Sequence, residues 1–493
     1  VGQTLLSGLK NISNSQTRVS GPQSKVIDLK IVKLLMSRLS RRDFVKNAAL
    51  LSGSAITSPL LPQLVAEGAE PASAKPQPLD KLNIAIIGAG NQGRGNFRVL
   101  HGLDENIFAL CDVDENQIAT TLKQQPALAG AKVYSDYRKL LEQEKSLDAV
   151  VIATPDHWHA PIARAAMQAG KHVYCEKPLT HSIGEARELR ELAKTSKVVT
   201  QMGNQGSASA SLRRSIELIK AGVLGQIHEV HTYMPGGRFR RGITRPLGAD
   251  PVPAGLNWDV WVGPAPFTPF KQGVYHPRVW RGWYDFGSGQ LGDFGCHAFN
   301  LPMRALDLDY PAKVEIVCTG LGQDSYFVNG IIKLHFAARK DLAPVTLSWY
   351  DGGAQPPDGL FQDVIAVFKK LQNGVLLVGD KGIIFTNPWN MAALIKLKGE
   401  DRLQDVLHHE ATKDIPVTLP RTRSHQYEWV QACKGGPATY SNFEVGGHLT
   451  EIVLSGVLAA RLGRSIEWNG AQMEVQDAPA SATKIIHPQY RQF

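Results

Sequence analysis

Leu82-Asn83-Ile84-Ala85-Ile86-Ile87 runs straight into Gly88-Ala89-Gly90-Asn91-Gln92-Gly93, and this junction decides the fold. A short, almost continuous apolar run is what a strand buried on both faces of a parallel sheet requires. The glycines that follow spell GxGxxG and open a helix. Gly88 permits the tight turn, Gly90 lets a pyrophosphate approach the backbone, and Gly93 brings helix against strand, so that the helix N-terminus faces phosphates. Asn91 and Gln92 belong to the same turn and count with it as cofactor contacts. A second apolar run, Ile107-Phe108-Ala109-Leu110-Cys111, ends in Asp112, 19 residues past Gly93. That is close to the spacing of about 20 expected of a carboxylate that grips ribose hydroxyls. A carboxylate there repels a 2′-phosphate, which predicts NAD, with NADP as the alternative.

Working outward, the alternation continues. Residues 148–153, 171–175 and 198–201 read as strands, with helices over 161–169 and 184–194. Strand–helix repetition of this kind implies a doubly wound Rossmann domain, placed at 79–202. Over 203–474 the rhythm changes. Residues 228–233, 313–319, 331–336, 345–350 and 376–378 read as strands of a large, mostly antiparallel sheet. The expected class is therefore α/β, a Rossmann domain followed by an α+β domain with a large, mostly antiparallel sheet. Between the strands, the aromatic, Gly-rich stretch 258–286 is too long for an idle connector. Residues 475–493 read as a tail that wraps the surface.

Two segments at strand ends carry more. Thr154-Pro155-Asp156-His157-Trp158-His159 follows one strand and Glu176-Lys177-Pro178 the next. With the GxGxxG turn they resemble the glucose–fructose oxidoreductase / inositol dehydrogenase (Gfo/Idh/MocA) family, over roughly residues 80–470. The resemblance implies that Glu176 bonds the nicotinamide ribose and that Lys177 reaches the reacting carbon. It also implies that Thr154, Pro155, Asp156 and His159 line the nicotinamide side, and that Asn204 is a further cofactor contact. Asp293 and His297, in Gly292-Asp293-Phe294-Gly295-Cys296-His297, match the family's second-domain pair, and their i, i+4 spacing puts both on one helical face. The substrate implied is a sugar or polyol, and the assembly a homo-oligomer.

Arg281, between Trp280 and Trp283, suits a clamp on substrate hydroxyls; Tyr275, His276 and the pair Tyr350-Asp351 are further candidates of that kind. For oxidation of an alcohol, His297 is the preferred base, because an imidazole near pKa ~6.5 suits neutral pH. Asp293 would orient it or bond a neighbouring hydroxyl. Lys177 serves either as base or as a cation beside the developing alkoxide. Two other classes compete: an NAD-dependent glycosidase or lyase using transient sugar oxidation, and a sugar-binding protein without catalysis.

Composition narrows the partners. The formal charge is +9 over 493 residues, but residues 1–74 carry nine Lys/Arg against four Asp/Glu. The rest is dispersed, which argues against a nucleic-acid track. Five scattered cysteines without a CxxC pair indicate neither a disulfide framework nor a metal site. Ser40-Arg41-Arg42-Asp43-Phe44-Val45-Lys46 matches a twin-arginine export signal, followed by a weakly apolar run and Ala72-Ser73-Ala74 as cleavage site. Residues 36–74 are read as that signal, with Met36 as start and 1–35 as an upstream extension. The run, interrupted by Gly53, Pro59 and Pro62, is too short to span a bilayer. The expected location is the periplasm or another exported site. There a dinucleotide would have to be tightly bound, since no soluble pool replenishes it.

Overall fold

The quoted junction forms a strand running into a helix, β1 (Asn83–Ile87) and α1 (Asn91–Gly102). The computed structural model describes residues 81–236, 239–367 and 373–493; the upstream extension and the export signal lie outside them. Five more parallel strands join β1: β2 (Asn106–Cys111), β3 (Lys132–Tyr134), β4 (Ala149–Ile152), β5 (His172–Glu176) and β6 (Thr200–Gly203). The helices between them are α2 (Glu115–Gln124), α3 (Tyr137–Gln143), α4 (His159–Gln168) and α5 (Ile183–Thr195). The strand order is β3-β2-β1-β4-β5-β6. The winding reverses between β1 and β4, so the C-terminal ends of these strands open a crevice. The centre of the sheet is apolar because it meets no water: Ile84, Ala85, Ala149 and Val150 are wholly buried. α5 begins with a reciprocal capping box between Ser182 and Glu185.

The second half contains α6 (Ala210–Lys220), β7 (Ile227–Pro235), α7 (Trp258–Val262), α8 (Gly289–Ala298) and α9 (Asn300–Ala305). Next come β8 (Lys313–Thr319), β9 (Asn329–Phe336), β10 (Val345–Gly352), α10 (Gln362–Val367) and β11 (Gly374–Gly379). β12 (Gly382–Thr386), β13 (Ala393–Leu397), β14 (Gln404–Asp405), α11 (His425–Cys433) and α12 (Phe443–Leu462) follow. The chain closes with β15 (Ile466–Asn469), β16 (Glu474–Val475) and α13 (Ala480–Ile486). Ten strands form one sheet in the order β14-β13-β12-β11-β7-β10-β9-β8-β15-β16. Only β7 and β10 pair in parallel; every other neighbouring pair is antiparallel.

The division at residue 202 is not where the first domain's packing ends. β6 continues to Gly203, and α11 with the start of α12 returns from the far end of the chain to cover it. Met202 N–H donates to Ser441 O, Gln201 to His425 O, and Thr439 to Thr200 O. Trp429 packs edge-on against Tyr174 of β5. α12 is long and apolar enough to cross a bilayer, yet 83% of that apolar window is buried inside the protein. It runs against α5 and α8, and glycine permits the approach: a Cβ on Gly446 or Gly456 would lie 2.8 Å from Met202 or 2.6 Å from Leu291. The tail is likewise built in. Tyr490 donates to Glu185, Arg491 to Asp259 and Gly263 O, and the Phe493 ring meets Trp158 edge-on.

One polar knot fastens α12 inside this apolar setting. Glu451, 1% exposed, accepts from Arg187, Arg190 and Tyr310, which stand on α5 and the loop before β8. A buried carboxylate with two cations and a phenol is satisfied; removing it strands both guanidinium groups. Glu451→Ala is expected to cost about 3 kcal/mol in urea unfolding, and a loss under about 1 kcal/mol would show that the knot is unimportant.

Candidate active site

A cleft of about 310 Å³ lies along the C-terminal ends of β1, β4 and β5. Gly88, Gly90, Asn91 and Gln92 form its floor, Asp112 stands at one end, and Lys177, Asp293 and His297 meet at the other. The turn fits a dinucleotide by close approach. Gly88 has φ +88°, and a Cβ there would sit 2.6 Å from the Ala153 carbonyl; one on Gly93 would sit 2.0 Å from Gly88 O. Gly93 therefore works in packing and does not line the cleft. α1 has no acidic residue in its first turn and no side-chain cap at Gly90, which leaves its N–H groups for an anion.

Asp112 accepts from Ala89 N–H at 2.9 Å and Asp114 N–H at 3.1 Å. Burial raises its pKa to about 6, against these two bonds. Glu176 is fully enclosed and accepts from Gln92 at 3.1 Å, Asn96 at 2.9 Å and Gln205 at 3.3 Å. Burial raises its pKa, opposed chiefly by the Asn96 bond. Asn96 is itself held by Gln426 of α11. Asn96 and Gln205 are absent from the sequence expectations. The first was legible, because Gln92 and Asn96 share a helical face at i, i+4; Gln205 carries no local signal.

His159 explains why the two strand-end segments occur together. Its ring nitrogens lie 3.1 Å from Thr154 O and 2.7 Å from Pro178 O, so the imidazole sits between the two loops. Burial lowers its pKa to about 4, and the neutral ring donates to one carbonyl only. Thr154 and Pro155 line the cleft beside it.

At the far end Lys177 donates to Asp293 O at 2.7 Å and to the Asp293 carboxylate, which also accepts from Arg281 Nε at 3.0 Å. Burial alone would raise Asp293, but the charges of Arg281 and Lys177 hold it well below the carboxylate range. His297 is 4% exposed and its Nδ1 has no partner among the described residues. Burial, and then the charge of Lys177, push its pKa far down, so the imidazole is neutral. Asp293 does not bond His297, contrary to the expected orienting role, because two cations occupy its carboxylate. Arg281 lies in the cleft over the Trp280 ring at 4.2 Å.

Three expected contacts stand elsewhere. Asn204 is fully buried behind the wall, bonded to Cys296 O, Ser207 and Ser441. Asp156 is 1% exposed and accepts from Ser288 N–H at 3.0 Å instead of facing the cleft. Tyr275 is 1% exposed, packed among Trp258, Trp283 and Phe286; most of the aromatic stretch forms its own small core in place of a sugar platform. Asp351 pairs with Arg241. His276 does line the cleft, with Nε2 2.7 Å from Asp114. Burial works to raise Asp114, and the bonds from His276 and Asn116 hold it low. Together with Glu115 N–Gly255 O and Asn257 N–Val113 O, both 2.9 Å, this contact seats residues 255–278 across the cleft onto the corner after β2.

Comparison with known proteins agrees with this geometry. Residues 82–204 match the Gfo/Idh/MocA profile described as "Oxidoreductase family, NAD-binding Rossmann fold", and 215–339 match its "C-terminal alpha/beta domain", together half of the chain. A glycosyl hydrolase family 109 protein of Shewanella pealeana is 29% identical over 207 residues, 38% of this chain and 44% of that protein. An uncharacterized oxidoreductase of Schizosaccharomyces pombe is 28% identical over 33% of this chain and 44% of its own length. The chain thus spans under half the length of these curated relatives. Among solved structures, aldose-aldose oxidoreductase of Caulobacter crescentus with glycerol superposes with TM-score 0.53 at 18% identity, covering 78% of this chain and 99% of that one. An inositol dehydrogenase homolog of Azotobacter vinelandii with NADH and myo-inositol gives 0.53 at 18%, covering 79% and 98%. These similarities support the fold.

The position of Asp112 yields a pH prediction. If its carboxylate receives the ribose, NAD affinity falls about tenfold per unit below roughly pH 6, where the group takes up its proton, and Asp112→Ser narrows or reverses the ratio of NAD to NADP affinity. Isothermal titration of protein freed of nucleotide checks both; an unchanged ratio would mean that something else reads the ribose.

Proposed function

Because this chain belongs to the Gfo/Idh/MocA oxidoreductase family, we propose that it oxidises a CH–OH group of a sugar, polyol or sugar derivative with NAD held as a prosthetic group, after export by the twin-arginine machinery. The observation that carries the reading is the convergence of Lys177, Asp293, Arg281 and a neutral His297 at one end of a dinucleotide-shaped cleft. The GxGxxG turn, Asp112 and Glu176 would hold NAD, which when bound supplies the hydride acceptor. His297 takes the hydroxyl proton on an imidazole nitrogen. Lys177, ion-paired to Asp293, stabilises the negative charge on the substrate oxygen. Arg281 remains in the cleft to bind a neighbouring hydroxyl. Arg94 stands near enough to Asp112 to feel its charge, which keeps NADP as the alternative cofactor.

A second reading is favoured by the relatives named as family 109 glycosyl hydrolases. In it the same groups oxidise a glycoside transiently, ease elimination of the leaving group, and restore the cofactor. The two readings separate on substrate: free sugars and polyols are expected to yield NADH, whereas aryl glycosides would release phenol without net reduction. Under either, Lys177→Ala abolishes turnover and His297→Asn lowers it about 10²–10⁴-fold. Turnover of Lys177→Ala within a few-fold of the parent would sink the assignment.

The seat of residues 255–278 across the cleft supports retention of the cofactor. Holding a dinucleotide for hours outside its pool needs a dissociation constant near 1 nM, about 12 kcal/mol. Protein recovered from the periplasmic fraction and dialysed without nucleotide should release close to one equivalent of NAD(H) on denaturation. The Arg41→Lys, Arg42→Lys double variant should be found in the cytoplasm. An empty exported protein, or normal export of that variant, would refute this part of the reading.

A further inference from the structure

Asp156 comes from the turn after β4, yet it binds the helix that carries Asp293 and His297. Its Oδ2 accepts the Ser288 main-chain N–H at 3.0 Å, and Ser288 O accepts from Gly292 N–H as α8 begins. A first-domain carboxylate thus occupies the N-terminus of a second-domain helix, where negative charge is favoured. Among the described residues its other oxygen, Oδ1, is buried without a hydrogen-bond partner, as is Thr154 Oγ1 two residues before it. Asp156 is too deep to touch a ligand in the cleft.

The charges around it are unequal. Lys177 and Arg281 both lean on the single carboxylate of Asp293, and both act on Asp156 electrostatically. Other titratable groups that feel its charge are the Cys175 and Cys296 thiols and the Tyr326 phenol, neutral because burial raises them, and the His157 and His159 rings of the same turn are neutral because burial lowers them. Two cations here face the carboxylates of Asp293 and Asp156, and Glu176, which feels the Lys177 charge, is a further buried carboxylate whose pKa burial raises. Protonating Asp156 removes one of the negative charges that face Lys177 and Arg281 in a low-dielectric site.

Resting on the reading of the cleft as a site of CH–OH oxidation, we infer that Asp156 is a positioning residue whose ionised carboxylate both fixes the catalytic helix through Ser288 and adds the negative charge that faces Lys177 and Arg281 from behind the cleft. Burial raises its pKa to about 6, against the pull of Arg281, so the switch falls inside the range an enzyme meets. The folded-state value lies above the unfolded one. The ionised form therefore costs stability at neutral pH, and that cost is relieved as pH falls through about 6.

Asp156→Asn keeps an acceptor for Ser288 N–H and removes the charge; Asp156→Ala removes both. At saturating substrate and cofactor, Asp156→Asn is expected to melt at or above the parent temperature while kcat falls at least about tenfold, KM changes less than about threefold, and the acid limb of kcat near pH 6 disappears. Asp156→Ala should lose stability as well. If Asp156→Asn keeps kcat within about twofold together with the parent's acid limb, Asp156 is only a cap and the inference falls. An infrared titration reads the same group without substrate. The parent should show a carboxylic acid band absent in Asp156→Asn and shifted to higher pH in Lys177→Met, where a neighbouring cation is lost. No such band overturns the charge role. Parent-like turnover by Lys177→Ala would instead sink the reading of the cleft, leaving the infrared result to stand by itself.

Discussion

The carboxylate of Asp293 accepts from Lys177 and Arg281 at once, and the rest of the site is registered on that contact. A charge buried this deeply survives only when paired and hydrogen-bonded. Lys177 belongs to the first domain, Asp293 to the second and Arg281 to the aromatic stretch, so the triad fixes three segments with one group. Sliding either domain by an ångström would unpair ions in a dry environment. The pairing also engages Lys177, while burial first and then the Lys177 charge, against that of Asp293, keep the His297 imidazole unprotonated.

The features written in the sequence were those with local spacing. The apolar run into GxGxxG, the carboxylate after β2, the strand-end loops and the i, i+4 pair Asp293/His297 all lie within a turn or two of a recognisable pattern. β8 appears with the very bounds expected, 313–319. What local pattern could not convey is which face a residue turns. Asp156 and Asn204 share loops with true cleft residues but point away, and Tyr275 looks like a sugar platform until its neighbours bury it. Asp293 looks like the partner of His297 by helical spacing, yet Lys177 from the first domain and Arg281 from the preceding aromatic stretch claim it. Gln426, 330 residues from Asn96, supports the Glu176 cluster with no sequence signal at all.

The aromatic stretch shows how one composition serves two purposes. Its rings pack on each other, Trp258 on Trp261 at 4.5 Å and Trp261 on Phe286 at 4.9 Å, making a small core with a rigid outer edge. His276, Trp280 and Arg281 project from that edge into the cleft. A loop of this length without its own core would hold such side chains loosely; a packed one delivers them at fixed positions.

The return of α11 and α12 to β6 bears on the order in which the chain can fold as it is made. The ribosome releases the first sheet early, but residues 425–446, which cover its last strand and brace the Glu176 cluster through Asn96, are made only after the second sheet's strands through β14. Until then the N-terminal half exposes an unfinished apolar flank, and the twenty-residue apolar α12 is still to be enclosed. The nucleotide-shaped cleft is therefore complete only once α11 and the start of α12 have joined it.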